Sequence, residues 1–238
     1  MSYLKVIGID EVGRGCLAGP VAACAYVFES IQGEPFATKC FSGTSGTGNY
    51  IPAASKVTGL RDSKKLSPKQ RQALLPVLAG IGVSGLGMAT HEEIDALNIK
   101  NATFLAMRRA VEELEIPMAE RKNYMIVVDG NLLPDTLLNI GFGAVHFLVK
   151  ADDKVPEVSA AAVIAKEARD LLMSEKDAEF PGYAFASNAG YGSPIHLQAL
   201  KDKGFCSMHR KTFEPIKTMV KGMVQDPPTV APIKMRFR

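Results

Sequence analysis

Two acidic side chains stand together at the end of an apolar run near the start of the chain, Val6-Ile7-Gly8-Ile9-Asp10-Glu11, and Val12-Gly13-Arg14-Gly15 follows at once. A buried charge without compensation costs several kcal/mol or shifts its pKa, so paired carboxylates at a strand end call for a cation. The glycines let a backbone approach a phosphate closely, with Arg14 beside it. Carboxylates, a divalent cation and a phosphate in one place point to phosphodiester chemistry. Asp129, in Val127-Val128-Asp129-Gly130-Asn131, and Asp152, in Lys150-Ala151-Asp152, also lie at or just past the ends of apolar runs. Sheets of alternating strand and helix place ligands at such ends. Magnesium takes hard oxygen ligands, and two ions ~4 Å apart can activate a water and stabilise a leaving oxygen.

Each acid also has a plain structural reading. Asp129 before Gly130 suits a turn. Asp152 or Asp153 suits the cap of a helix opening near Pro156. Asp10 and Glu11 pose a further problem, because neighbours on a regular strand point to opposite faces. Both reach one metal only if the strand ends, twists or bulges there, or if Glu11 acts through its carbonyl or a water.

The elements that must carry these residues read as follows. Strands are expected over 4–10, 21–28, 83–89, 124–128 and 144–149, the third weakened by its glycines. The short connection 13–20 makes the first two antiparallel neighbours. Thr90-His91-Glu92-Glu93 has capping-box spacing and opens a helix whose apolar stripe is Phe104, Met107, Val111 and Leu114. An alanine-rich helix starts near Pro156, and Arg169 and Lys166 on it could pair with Asp170 or Glu167. Ser67-Pro68 opens another helix, behind Ser63, Lys64 and Lys65, which can meet phosphates. Ser193-Pro194 to Gly204 bounds a helix of about ten residues. This pattern predicts an α/β fold, a mixed sheet flanked by helices. Residues 32–59 read as a flexible insertion and 225–238 as an extended tail.

Composition sets bounds. A chain of 238 residues with 47% apolar content fits one sizeable domain, and a net charge of +3 means that nucleic-acid binding needs a local basic face. No apolar run spans a membrane, no secretory leader opens the chain, and Cys16, Cys24, Cys40 and Cys206 form no metal or disulfide pattern, so a cytoplasmic protein is expected.

Taken in order, several segments resemble the type 2 ribonuclease H family, ribonuclease HII. They are Asp10–Gly15 with Leu17-Ala18-Gly19-Pro20, Asp62-Ser63-Lys64-Lys65-Leu66, Val127–Asn131, Lys150-Ala151-Asp152 with Val158–Lys166, Gly190-Tyr191-Gly192-Ser193 with His196, and His209-Arg210-Lys211-Thr212-Phe213. The resemblance runs from about residue 6 to 217. It implies a ribonuclease H-like catalytic domain over 1–180, a small helical substrate-binding region over 181–224 and a tail beyond. It implies a metal site of Asp10, Glu11, Asp129 and Asp152 holding two Mn2+ or Mg2+ ions. It also implies that Gly13, Arg14 and Gly15, with Tyr191, recognise the ribonucleotide, Tyr191 stacking on the next sugar, and that Ser63 and Lys64 bind substrate. His209-Arg210 would lie in the substrate-facing region. The implied activity is hydrolysis of RNA in RNA–DNA hybrids and nicking 5′ of ribonucleotides in duplex DNA, leaving 3′-hydroxyl and 5′-phosphate ends. The enzyme would be a monomer, with a replication clamp as a conceivable partner. Ala189 stands where the family commonly has lysine, and Cys16 where proline is common. The rival readings are a DNA nuclease of the same fold and a non-catalytic hybrid binder. An acid-rich phosphotransferase is disfavoured by the lack of a G-x-x-x-x-G-K-[ST] loop.

Overall fold

The structure, a computed structural model, describes residues 5–29, 57–60, 63–131 and 135–225. Most of the expected insertion, Asp62 and Cys40, and all of the expected tail but Gln225 lie outside the described residues. Five strands, β1 (Lys5–Val12), β2 (Val21–Phe28), β3 (Gly82–Ala89), β4 (Tyr124–Asp129) and β5 (Ala144–Leu148), form one mixed sheet in the order β3-β2-β1-β4-β5. β1 runs antiparallel to β2 and parallel to β4, and β5 runs parallel to β4. The C-terminal ends of β1, β4 and β5 therefore share one edge of the sheet, and all three are strongly apolar runs that end close to an acid.

One face is covered by α2 (His91–Glu112), whose Ala102, Phe104, Ala106, Met107, Ala110 and Val111 pack on Ile7, Ile9, Ala23, Ala25, Ile126 and Val128. Thr90 caps α2 in a capping box with Glu93, as its spacing predicts. The glycines of β3 are explained by this packing: a Cβ at Gly87 would lie 2.1 Å from the Ala106 carbonyl oxygen, and at Gly85 2.2 Å from that of Ala110. A side chain there would lift the helix off the sheet. α2 kinks at Asn98, with φ 67°, and the Asn98 side chain caps the Asn101 N–H at 3.1 Å.

The other face carries α1 (Pro68–Ala79) and α4 (Pro156–Glu179). Gly8 lets α4 touch β1, since a Cβ there would sit 2.2 Å from the Val158 nitrogen. The short helices α3 (Met118–Arg121) and α5 (Phe185–Asn188) precede β4 and follow α4, and α6 (Pro194–Lys203) and α7 (Ile216–Gln225) close the chain. Ser193 caps α6 and Gly204 ends it, at the positions read from the sequence. Met173 near the end of α4 packs with Leu17, Tyr183, Phe185, Leu200 and Ile216, joining the segment after α4 to the turn after β1. Among the described residues no helix is long and apolar enough to cross a membrane.

Candidate active site

The register brings the acids together. Ile9 pairs with Val128, so Asp10 and Asp129 stand one step further along two adjacent parallel strands, and Asp129 pairs with Leu148 of β5. In a parallel pair, matched positions share a face. Beyond β5 the chain turns through Lys150, at φ 58°, into a 3-10 turn, Ala151–Asp153, which presents Asp152 just ahead of α4. The Ala151 N–H donates to Asp129 Oδ1 at 2.7 Å, and the Ser159 hydroxyl donates to the Asp152 carbonyl. Neither Asp152 nor Asp153 caps α4, whose N-cap is Val155 without a side-chain bond. Asp153 instead pairs with Lys65 at 2.6 Å.

Asp10 and Asp152 are buried, 8% and 7% exposed. Burial first, then the charges of Glu11, Asp129 and Asp152, holds the Asp10 carboxyl well above the ordinary carboxylate range, against the pull of the Glu11 N–H that donates to it at 2.7 Å. Glu11 is also raised, mainly by burial and further by Asp129, while Arg14 and Lys64 oppose the shift. The strand neither ends nor bulges at the Asp10–Glu11 pair. β1 stays paired to β2 through Val12, so Asp10 and Glu11 leave it on opposite faces. Asp10 lies on the α4 side. Glu11 lines a cleft on the α2 side with Arg14, Asp129, Gly130 and Asn131. All four acids are thus in electrostatic contact, but they are not closed up. Among the described residues no three Asp, Glu, His or Cys side chains stand in a finished ligand array, and Glu11 Oε1 faces Arg14 Nη1 at 3.3 Å.

Of the substrate-binding candidates, Arg14 and Lys64 act on Glu11. Arg14 and Gly15 are exposed beside the cleft, and Gly13 is buried at φ 89°. Ser63 is buried in a 3-10 turn, Ser63–Lys65, that Arg71 fastens to α4. Arg71 bonds the Ser63 and Leu66 carbonyls and Glu167. Tyr191 is 41% exposed, with Lys166 and Arg169 5.9 and 6.0 Å from its ring. Lys100, Thr103, Phe104 and Met107 of α2 also line the cleft. Sequence reasoning missed them because the apolar ones fit the core stripe and Lys100 lies outside every motif.

Two expectations are corrected. Arg169 does not pair with an acid; it is wholly buried and bonds the carbonyls of Pro20, Ala18 and Ala189, while Lys166 takes Asp170 and Arg71 takes Glu167. His209 and Arg210 do not face substrate, for both are 0% exposed. The Cys206 N–H donates to His209 Nδ1 at 3.0 Å, which makes His209 Nε2 the proton carrier. It donates to His196 Nε2 at 2.9 Å, and His196 Nδ1 then donates to the Tyr191 carbonyl at 2.8 Å. Burial and the neighbouring His196 push His209 down to about 4, so the chain of bonds is neutral.

A five-stranded mixed sheet with acids at the ends of its parallel strands, helices on both faces and a cleft at that edge defines a ribonuclease H-like α/β protein. Solved structures agree on the fold. The ribonuclease H2 from Pyrococcus horikoshii OT3 matches with a TM-score of 0.68 at 24% identity, over 94% of this chain and 100% of that one. Bst-RNase HIII in complex with Mn2+ matches at 0.65 and 18%, over 92% and 70%. The RNase HII of Archaeoglobus fulgidus, solved with PCNA, matches at 0.63 and 22%, over 89% and 96%. The sequence narrows the class. The family model Ribonuclease HII matches residues 50–216. The ribonuclease HII of Jannaschia sp. is 39% identical over 217 residues, 91% of this chain and 93% of its own length, and that of Fusobacterium nucleatum is 38% identical over 214, 90% and 87%. The chain belongs to the ribonuclease HII family. It is a ribonuclease H, a hydrolase that cuts the RNA strand of RNA–DNA hybrids.

Proposed function

We propose that this ribonuclease also nicks duplex DNA on the 5′ side of embedded ribonucleotides, with Asp10, Glu11, Asp129 and Asp152 as the ligands of two divalent ions. The observation that carries this reading is the raised Asp10 carboxyl, buried among three further acids at one sheet edge. Hard carboxylate oxygens are the donor set that Mg2+ and Mn2+ take, and a cation would offset the burial and the repulsion that raise the Asp10 carboxyl. Divalent ions held by these four acids would supply Lewis acidity to the phosphate. The chain's own groups do the remainder. Asp129 is held in place by the Ala151 N–H, and Arg14, half-exposed beside Glu11, is the cation that would meet a phosphate in the cleft. Arg14 of the turn 13–15 lines the cleft and Tyr191 lies by Cys16 just after that turn; turn and tyrosine are read as the ribose-recognising pair, with Ser63 and Lys64 on the flanking phosphates. The products carry 3′-hydroxyl and 5′-phosphate ends, and the role is removal of misincorporated ribonucleotides and RNA primers.

We place the enzyme in the cytoplasm as a monomer, in keeping with its free thiols Cys16, Cys24 and Cys206. The clamp complex of the Archaeoglobus relative makes a sliding clamp the first partner to test by co-purification. The deciding experiment for the activity is a gel assay of a duplex carrying one ribonucleotide against an all-DNA duplex, with Mg2+, Mn2+ or chelator. A single nick 5′ of the ribonucleotide, dependent on metal, is expected. Cleavage of both duplexes favours a DNA nuclease, and binding without cleavage favours a non-catalytic binder.

A further inference from the structure

Arg210, in the loop after α6, is a wholly buried cation whose hydrogen bonds all go to backbone carbonyls of the turn after β1. Nη2 donates to the Gly13 oxygen at 2.7 Å, Nη1 to the Arg14 oxygen at 2.8 Å and Nε to the Gly19 oxygen at 3.0 Å. The Cys16 N–H reaches the same Gly13 oxygen at 3.4 Å and closes a tight turn. Beneath it lies a second buried guanidinium, since a Cβ on Gly13 would meet Arg169 Nε at 2.2 Å.

A trans peptide plane fixes the consequence, because its C=O and N–H point in opposite directions. Turning the Gly13 and Arg14 carbonyls inward turns the next two amide N–H groups, those of Arg14 and Gly15, outward. Both residues are exposed, and neither N–H is taken by a hydrogen bond among the described residues. We infer that Arg210 is a positioning residue for ribose recognition, holding the Arg14 and Gly15 amides as a paired donor for the 2′-oxygen. The inference rests on the reading of the 13–15 turn given above and adds the group that orients it. Arginine is required for geometric reasons: its planar fork spans two successive carbonyls, which a lysine ammonium on a flexible stem does not. Burial lowers the Arg210 pKa to about 10, so the guanidinium remains charged at neutral pH.

The test compares binding, in Ca2+, of a duplex holding one ribonucleotide with that of the same duplex in all-DNA form, for the wild type, R210K and D95A. Asp95 accepts from the Lys211 and Thr212 N–H groups and the Thr212 hydroxyl, so D95A loosens the same loop without touching the turn. R210K is expected to lose about tenfold of the preference for the ribonucleotide duplex, as when a site built to bind a hydroxyl is disordered. D95A is expected to lower Tm and keep the preference. A preference retained by R210K, an equal weakening on both duplexes, or an equal loss in D95A overturns the role of Arg210. A wild-type chain without preference overturns the reading of the turn itself. A second measurement needs no variant: in wild-type protein the Arg14 and Gly15 amides should be protected from hydrogen exchange by the ribonucleotide duplex and not by the all-DNA one. Equal protection by both overturns the inference.

Discussion

At the strand ends Asp10 and Asp152 are buried beside Glu11 and Asp129, and Asp10 is left with a carboxyl that resists ionisation. On the far side of the turn that follows β1, Arg169 and Arg210 are buried just as deeply, and each guanidinium is met by three backbone carbonyls. Both regions gather like charges, which is costly in a poorly solvated interior. The cationic region is closed, because neutral dipoles from the chain itself satisfy its donors. The anionic region is different, because burial and the charges of its neighbours together hold the Asp10 carboxyl up. Buried charges met by neutral dipoles are architecture, whereas buried like charges that raise one another's pKa mark a candidate functional site.

The contrast can be broken most forcefully at Asp129. Asp129→Asn should cut hydrolysis of an RNA–DNA hybrid by about 10^3-fold, the scale of losing several kcal/mol of charge stabilisation, with the fold intact by circular dichroism. Activity near the wild-type level would show that the acids are ordinary turn residues. The closed region should respond in stability. The His209 folded pKa of about 4 lies below its ordinary 6.5, so the stability it gains by staying neutral is full above 6.5 and is lost as the pH falls through 4. His209→Gln should cost about 1–3 kcal/mol at neutral pH and flatten the fall in Tm across that window. Tyr191→Ala should reduce cleavage at single ribonucleotides about tenfold more than cleavage of long hybrids, in line with the loss of one stacking contact. Equal losses would return Tyr191 to a packing role.

The anionic region has the opposite sign. The Asp10 folded pKa is raised, so the stability of its neutral form is full below 3.8 and is lost as the pH rises through the elevated value. Metal-free Asp10→Asn should therefore melt higher than the wild type at pH 7 and no higher below 3.8, although it is inactive. A lower melting point at pH 7 would mean that Asp10 is already compensated. The smallest effect belongs to Asp153, whose carboxyl is held below its ordinary value by Lys65. Asp153→Ala should leave hybrid cleavage unchanged, and a loss to match Asp152→Asn would move the ligand from one neighbour to the other.

Local signals carried most of the architecture. Apolar runs gave way to acids at positions 10, 129 and 152, and Ser67, Thr90 and Ser193 announced their helices, so the strands and caps could be read from windows of a few residues. The anionic half of the site was legible for the same reason: each acid follows its own strand. The closed half was not. Arg169, His209 and Arg210 look like surface polar residues in any short window, and their partners lie far off along the chain. One trace was available, for Ala161, Ala165, Arg169 and Met173 fall four apart on α4 and all are buried, which puts Arg169 on the inner row. The kink at Asn98 and the helix pressed onto Gly85 and Gly87 also depend on contacts that no local pattern encodes.

The three bonds from Arg210 to the first turn span 191 to 197 residues of sequence. During synthesis, β1 and its acids emerge at the outset, yet the donors that orient the turn beside them arrive nearly last. A product ending before position 210 lacks the guanidinium bonds to the Gly13, Arg14 and Gly19 oxygens. The selectivity proposed for the 13–15 turn is thereby tied to a residue almost two hundred positions away.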